Sequence, residues 1–321
     1  MRFFVGVDFG ATKIRAGVVG EDGRILGRGD VDTEPRRGLE AVLANLERAV
    51  DLACRESGTP LDDASGLGVA APGQVDRTTL TVVQAPNLGW RHVPLGALLR
   101  ERFAPLPVAL QNDVKAAALG EQRFGAGQGV RDLVAVFVGT GVGGGIIAGG
   151  ELVDGATGAA GEVGHLVYRP EGGERCSCGA YGHYEAYAGG AAVEQRFRQR
   201  VRAGLETRAL ELVCGHVDAI SLGTIFEAAA RGDGPAREVV DELESALGGL
   251  AANLATLLNP SRIVIGGGIV RKHPHIIERV EACVRELALE AARGCEVVPS
   301  ALWEDAAVLG SAAAAAAKAR P

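Results

Sequence analysis

The sequence predicts an α/β protein in which one α/β unit occurs twice, with a cleft between the halves. Three observations carry that prediction. Short apolar β-type runs alternate with stretches of helical periodicity along most of the chain. Two of the runs end in a glycine-bearing turn and return at once as a second strand, at Asp8-Phe9-Gly10-Ala11-Thr12-Lys13 and at Gly139-Thr140-Gly141-Val142-Gly143-Gly144-Gly145. Each such pair precedes further strands and helices in a similar order, a repeat visible in architecture more than in residue identity. At 321 residues the chain is too long for one small core and suits two lobes.

The elements follow in order. Phe3–Phe9 reads as a buried strand, Lys13–Val19 as a second and Ile25–Val31 as a third, joined through the hairpin turn Glu21-Asp22-Gly23. Leu39–Cys54 places Leu39, Val42, Leu43, Leu46 and Val50 at helical spacing. Gly66–Ala71 is a strand stopped by Pro72-Gly73, and Pro107–Leu110 is a short strand entering Asn112-Asp113, after which Val114–Phe124 is helical. The second cycle opens with the strand Leu133–Val138, a turn over Gly139–Gly145 and a returning strand Gly144–Ala148. Helices are expected over Ala191–Ala203, Leu222–Arg231 and Pro235–Leu258, then a strand Arg262–Ile265 and the turn Gly266-Gly267-Gly268. The alanine-rich segment Asp305–Arg320 is strongly helix-forming; it is either a frayed tail or a helix packed back on the first lobe, with Val308 and Leu309 as its apolar start.

Composition narrows the function. Apolar residues are 47% and aromatics 4%, so Ala, Val and Leu must pack the core. The 47 glycines are about twice the usual share and show no fixed period, which points to tight turns and ligand-hugging loops. A formal net charge of −7 argues against a nucleic-acid partner. The apolar run at the N-terminus is too short for a signal peptide and is broken by Asp8, and no stretch is long enough for a membrane helix. Six cysteines without a secretory signal read as reduced thiols or metal ligands, and the expected location is the cytoplasm.

Small residues in the turns at Gly10–Lys13 and Gly139–Gly141 let backbone N–H groups approach phosphate, with Thr140 adding a hydroxyl and Asp8 able to hold Mg²⁺ through water. Neither is a P-loop or a dinucleotide fingerprint, because a strand rather than a helix follows each. One glycine turn alone is an ordinary hairpin; two of them, with Gly266-Gly267-Gly268 after a strand, favour a nucleotide. Asn112-Asp113 stands where a strand passes into a helix. Asp113 there is an N-cap, a general base for a substrate hydroxyl, or both. The segment 162–185 holds Glu162-Val163-Gly164-His165 and Cys176-Ser177-Cys178-Gly179-Ala180-Tyr181-Gly182-His183-Tyr184-Glu185. Two Cys and two His at this spacing can close a tetrahedral zinc site, and the carboxylates woven among them suit a hydroxyl-rich ligand.

Together these pieces resemble the ROK family of bacterial sugar kinases and repressors, within the actin-like ATPase superfamily. The matching residues are the two turns, Ala71-Pro72-Gly73, Ala85-Pro86-Asn87-Leu88-Gly89-Trp90, Asn112-Asp113, Glu162–His165, the Cys-bearing segment and Leu258-Asn259-Pro260 through Gly268, in the family's order. The resemblance implies two actin-like, ribonuclease H-like α/β lobes with a cleft between them. The small lobe would be 1–113 with the helix 305–321 on it, and the large lobe 114–304 with the zinc-bound loop. It implies ATP-dependent phosphorylation of the primary hydroxyl of a hexose, foremost glucose to glucose 6-phosphate, with Asp113 as base. Gly73, Asn87, Asn112, Glu162, His165 and Glu185 would line the sugar. Asp8 would lie near Mg²⁺, Gly10, Ala11, Thr12, Lys13, Gly139, Thr140 and Gly141 near the phosphates, and Gly266, Gly267 and Gly268 near the adenosine. His165, Cys176 and Cys178 would hold a structural Zn²⁺. Family members are commonly homodimers or homotetramers.

Two departures from the family pattern stand out. Ala11 occupies the usual place of a second Gly, a mild change where φ is negative. His183 occupies the usual place of a third Cys, which is a substituted fourth ligand or the mark of a missing one; with it the site is Cys₂His₂ and loses one thiolate charge. Cys54, Cys214, Cys283 and Cys295 read as packing residues, and His92, His216, His273 and His275 as surface residues. The competing functions are a kinase for fructose, N-acetylglucosamine or N-acetylmannosamine, or a sugar-sensing regulator without catalysis. Polyphosphate is a second candidate donor. The run 158–162 is glucokinase-like; the family's repressors carry a helix-turn-helix domain ahead of the first turn, where this chain has seven residues before Asp8.

Overall fold

A computed structural model describes residues 2–319. The chain begins with β1 (Phe3–Phe9), β2 (Lys13–Gly20) and β3 (Ile25–Asp32), then α1 (Leu39–Ser57) and β4 (Leu67–Ala71). Next come β5 (Gln74–Asp76), β6 (Thr81–Ala85), β7 (Trp90–Val93), α2 (Leu95–Arg102), β8 (Val108–Asn112) and α3 (Asp113–Phe124). The second cycle runs β9 (Leu133–Val138), β10 (Val142–Ala148) and β11 (Glu151–Leu152), then α4 (Glu185–Ala188), α5 (Gly190–Arg202), α6 (Arg208–Leu212), α7 (Leu222–Ala230) and α8 (Gly234–Leu258). It closes with β12 (Arg262–Gly266), α9 (Gly268–Lys272), α10 (His275–Leu287), β13 (Glu296–Pro299) and α11 (Ala306–Lys318).

Two five-stranded sheets have the orders β3-β2-β1-β4-β8 and β11-β10-β9-β12-β13. Numbered by appearance within each sheet, both read 3-2-1-4-5, so the duplication expected from the sequence is a duplication of topology. In the first sheet β1–β2 and β2–β3 are antiparallel, while β1–β4 and β4–β8 are parallel. The second matches where the pairs correspond, with β10–β11 antiparallel and β12–β13 parallel. The hairpin comes first because its short turn can join only antiparallel strands; the later parallel pairs need helical crossovers. A third sheet, the meander β5-β6-β7, has no counterpart in the sequence reading.

The chain divides into two compact units. One holds the described residues up to Ala135, Gly144–Gly161, and those from Ser300 onward; the other holds Val136–Gly143 and Glu162–Pro299. In the first, α1 buries Val42, Leu43, Leu46, Ala49 and Val50 in one core with Val5, Val7 and Val69 of the sheet. The helix α11 packs Val308, Leu309, Ala312 and Ala315 with Phe4 and Val19. Arg320, where the expected C-terminal helix ends, lies outside the described residues. In the second unit α7, α8 and α10 pack together, α8 along most of its 25 residues. Among the described residues no helix is long and apolar enough to cross a membrane.

The turn expected over Gly139–Gly145 is shorter than that, because β10 already begins at Val142. Cys54, Cys283 and Cys295 are buried, but Cys214 is exposed and sits at φ 51°, so it is a turn residue, not a packing one. His273 is half-buried, stacked on Phe226 with ring centroids 3.6 Å apart, and His275 faces the buried Glu244 at 2.9 Å. His273 is therefore not a plain surface residue, while His275 is exposed as expected.

Candidate active site

The first turn closes by a hydrogen bond from Gly10 N–H to the Lys13 carbonyl at 3.0 Å. Its outward carbonyls are taken by one residue: Thr33 Oγ1 donates to Gly10 O at 2.7 Å and Thr33 N–H to Thr12 O at 2.9 Å. Thr33 is fully buried and is placed by Asn45 of α1, whose amide donates to the carbonyls of Asp32 (3.0 Å) and Thr33 (3.3 Å). Carbonyl oxygens repel phosphate, so consuming them inside the protein favours an anion at the turn. Ala11 is not among the non-glycine residues of positive φ, so its methyl group carries no backbone strain.

Asp8 lies near the end of β1, directly opposite Arg15 on β2, with 3.7 Å between carboxylate and guanidinium. Burial pushes its carboxyl up to about 6; Arg15 pulls the other way and Asp30 adds to the rise. A carboxylate so destabilised gains by meeting a cation.

At the end of β8 the cap is Asn112, not Asp113. Asn112 Oδ1 accepts from Val114 N–H at 2.9 Å and Lys115 N–H at 3.1 Å, while its amide donates to Gly73 O at 3.0 Å and Asp113 Oδ1 at 2.9 Å. Asp113 is therefore the first residue of α3, oriented by its neighbour and by Val114 N–H on Oδ1 at 2.9 Å. Gly73 has φ 84°, and a Cβ there would lie 2.1 Å from Gln84 O, so only glycine brings this carbonyl to Asn112. Asn87 is exposed in the short helical turn Pro86–Leu88. The sequence reading missed Lys115. It is buried in α3 and donates to Gly158 O at 2.8 Å and Asp154 at 3.3 Å, tying the 154–158 loop to the helix that Asp113 opens.

In the second unit, the turn Gly139–Gly141 gives its first two carbonyls to the start of α5: Gly190 N–H bonds Gly139 O at 2.9 Å and Ala191 N–H bonds Thr140 O at 3.0 Å. Gly267, at φ 95°, comes so close to this strand end that a Cβ would lie 2.2 Å from Val138 O. Gly266 ends β12 and Gly268 opens α9. Glu162 is exposed and precedes the helical turn Val163–His165, whose His165 N–H returns to Glu162 O at 3.0 Å. Glu185 is half-buried at the head of α4, bonded through Oε2 to Val142 N–H at 3.1 Å and through Oε1 to Ser177 Oγ at 2.5 Å.

The Cys-bearing segment brings four donor atoms together. One each from His165, Cys176, Cys178 and His183 lie within 4.8 Å of one another, with His165 Nδ1 3.6 Å from Cys176 Sγ and His183 Nδ1 3.3 Å from Cys178 Sγ. Zinc–nitrogen and zinc–sulfur lengths in a tetrahedron require such edges to be about 3.5 Å. The donor set thus fits zinc in number and chemistry, and these two edges fit it in spacing. Burial pushes the Cys176 thiol up to about 11, and the nearby Glu185 charge adds to this. A divalent cation supplies the charge that a thiolate here needs. The loop is anchored from below by tyrosines: Tyr187 OH accepts from Glu174 N–H at 2.7 Å and Tyr184 OH from Asn253 at 2.8 Å.

The model of the ROK family matches residues 4–318. A glucokinase of Halalkalibacterium halodurans is 35% identical over 310 residues, covering 96% of this chain and 93% of that protein. Among solved structures, a ROK family glucokinase from Streptomyces griseus in complex with glucose and AMPPNP matches with TM-score 0.81 at 39% identity, over 97% of this chain and 98% of that one. A ROK hexokinase from Thermus thermophilus matches with TM-score 0.83 at 30% identity, over 98% of both chains. Twin 3-2-1-4-5 sheets, each led by a glycine-bearing hairpin, define an α/β protein of the actin-like class. Within that class the chain belongs to the ROK family.

Proposed function

We propose that this chain is an ATP-dependent hexose kinase that converts glucose to glucose 6-phosphate. The observation that carries the reading is the likeness, over nearly the whole length of both chains, to a glucokinase solved with glucose and AMPPNP. Phosphoryl transfer asks a protein mainly for alignment and charge neutralisation. Asp113 takes the proton of the sugar's primary hydroxyl as that oxygen bonds to the γ-phosphorus and the bond to the bridging oxygen of ADP breaks. Its place supports this role: Asn112 does the capping, so the Asp113 carboxylate is not needed to close α3. Asn112, Gly73, Asn87, Glu162, His165 and Glu185 bind or frame the other hydroxyls, and a site that bonds each hydroxyl discriminates against sugars lacking one. The turns Gly10–Lys13 and Gly139–Gly141 receive the phosphates, and Gly266–Gly268 the adenosine.

Mg²⁺, held at Asp8 and on the phosphates, supplies charge neutralisation, consistent with a carboxyl whose burial makes a cation welcome. Zn²⁺, held by His165, Cys176, Cys178 and His183, supplies a fixed shape for the segment from which His165 faces the sugar. The proposed assembly, on the likeness to the family, is a homodimer or homotetramer.

A coupled assay over hexoses and N-acetylhexosamines, with ATP and with polyphosphate, tests the reading: ATP with glucose is expected to give the highest kcat/KM. Asp113→Asn should lower kcat about 10²–10⁴-fold. Full activity in that variant would remove Asp113 from the chemistry. Metal analysis should find about one zinc per chain, as a single four-ligand site requires, and less in His183→Ala; equal zinc in both would exclude His183 as a ligand.

A further inference from the structure

Glu185 joins two parts of the second unit that are separate in the chain. Its Oε2 accepts from Val142 N–H at 3.1 Å, at the residue directly after the turn Gly139–Gly141. Its Oε1 accepts from Ser177 Oγ at 2.5 Å. Ser177 stands between the two cysteines of the metal cluster, so the position of its hydroxyl follows the shape of that loop. From Glu185 the chain continues through α4 to Gly190 and Ala191, whose N–H groups hold the carbonyls of Gly139 and Thr140. The stretch 185–191 therefore grips the turn on both sides, and the loop grips Glu185.

We infer that Glu185 is a positioning residue through which the order of the Cys176–Cys178 loop sets the affinity of the Gly139–Gly141 turn for nucleotide phosphate. The inference rests on the kinase reading above and adds to it a coupling between the metal segment and the nucleotide. A carboxylate has acceptor sites on both oxygens, so it can hold an amide with one and a hydroxyl with the other without sharing either. The Ser177 bond is short and charge-assisted, the stronger sort. Without it the carboxylate can rotate away from Val142, and the turn keeps its carbonyl bonds to α5 but loses its anchor on the β10 side. Coupling of this kind is a property of bonded contact, not of distance, and it should show in binding without turnover.

The experiment measures dissociation constants of AMPPNP and of glucose by calorimetry, on the full chain with its metal and again after chelation. Ser177 is exposed, so Ser177→Ala should fold as the parent does; near-ultraviolet circular dichroism checks this. The expected result is AMPPNP binding weakened about fivefold in Ser177→Ala, a size typical of one coupled contact; glucose binding, which Glu185 also frames, should weaken by a smaller factor. Ser177→Thr, which keeps the hydroxyl, should restore the parent value. Chelation should weaken AMPPNP binding in the parent and weaken it less in Ser177→Ala. Equal AMPPNP affinity in parent and Ser177→Ala, or an equal loss on chelation in both, overturns the coupling. A parent that binds no AMPPNP at all would instead defeat the kinase reading itself.

Discussion

The two glycine-bearing turns occupy the same place in sheets of the same strand order, yet they are held by different means. The first is held from within its own sheet and helix: Thr33, just past β3, takes the carbonyls of Gly10 and Thr12, and Asn45 of α1 fixes Thr33. The second is held from outside its hairpin, by α5 and by Glu185, 43 residues beyond Val142 and reached through the Cys-bearing segment. The shared topology thus fixes where each turn lies, while the partners that satisfy its carbonyls differ. One turn rests on a packed core; the other rests on the segment that carries the His165, Cys176, Cys178 and His183 cluster. The first should therefore respond to pH and to core substitutions, and the second to chelation.

The largest expected effect breaks the symmetry through Asp8, which has no counterpart on the second turn. Its carboxyl is raised to about 6 in the fold from an ordinary 3.8, so the folded, metal-free chain binds this proton more tightly than the unfolded chain. Below the ordinary value both states are protonated and nothing is lost. As pH rises from about 4 to about 6 the folded state is penalised, and the penalty stays constant above, reaching about 3 kcal/mol. Urea unfolding of the parent and of Asp8→Asn across pH 4 to 7 should show the variant gaining by that amount on the parent. A gap that does not change with pH would show that the Asp8 carboxyl is not desolvated in the fold.

Next in size, Asn45→Ala removes the donor from two carbonyls at the base of the first turn and should cost about 2 kcal/mol of stability. Chelation should leave that loss unchanged. If the loss depended on metal, the two turns would not be independently held. The smallest effect sharpens the comparison. Thr33→Val keeps shape and removes one hydroxyl bond to Gly10 O, so stability should fall by about 1 kcal/mol. AMPPNP affinity should fall modestly and by the same factor with or without metal, the opposite of the behaviour expected for Ser177→Ala.

How much was legible in the sequence follows from how local each feature is. The hairpins around Gly10 and Gly139 were readable because a strand, a turn and a returning strand lie in consecutive residues. The same holds for Asn112-Asp113, where a strand ends and a helix begins, although which of the two caps the helix was decided by Asn112 reaching Gly73. Asn45 carried a signal in the sequence, a polar residue inside the apolar stripe of α1. The helix His275–Leu287 also shows helical spacing in Ile276, Val280, Cys283 and Val284. The sheet β5-β6-β7 was not legible, since its strands are three to five residues long and interrupted by Pro86.

By itself the sequence determined the duplicated α/β class, the two glycine-bearing turns, the Asn112-Asp113 junction and the four His and Cys residues that cluster. Each of these is written in neighbouring residues whose φ preferences, apolar spacing or ligand chemistry act over a few positions. Only the tertiary structure decided what holds them: Thr33 on one turn, Glu185 and α5 on the other, Lys115 beneath the 154–158 loop. The physical reason is that a buried carbonyl must find a donor, and nothing in the local chain says which distant residue the folded backbone will bring to it.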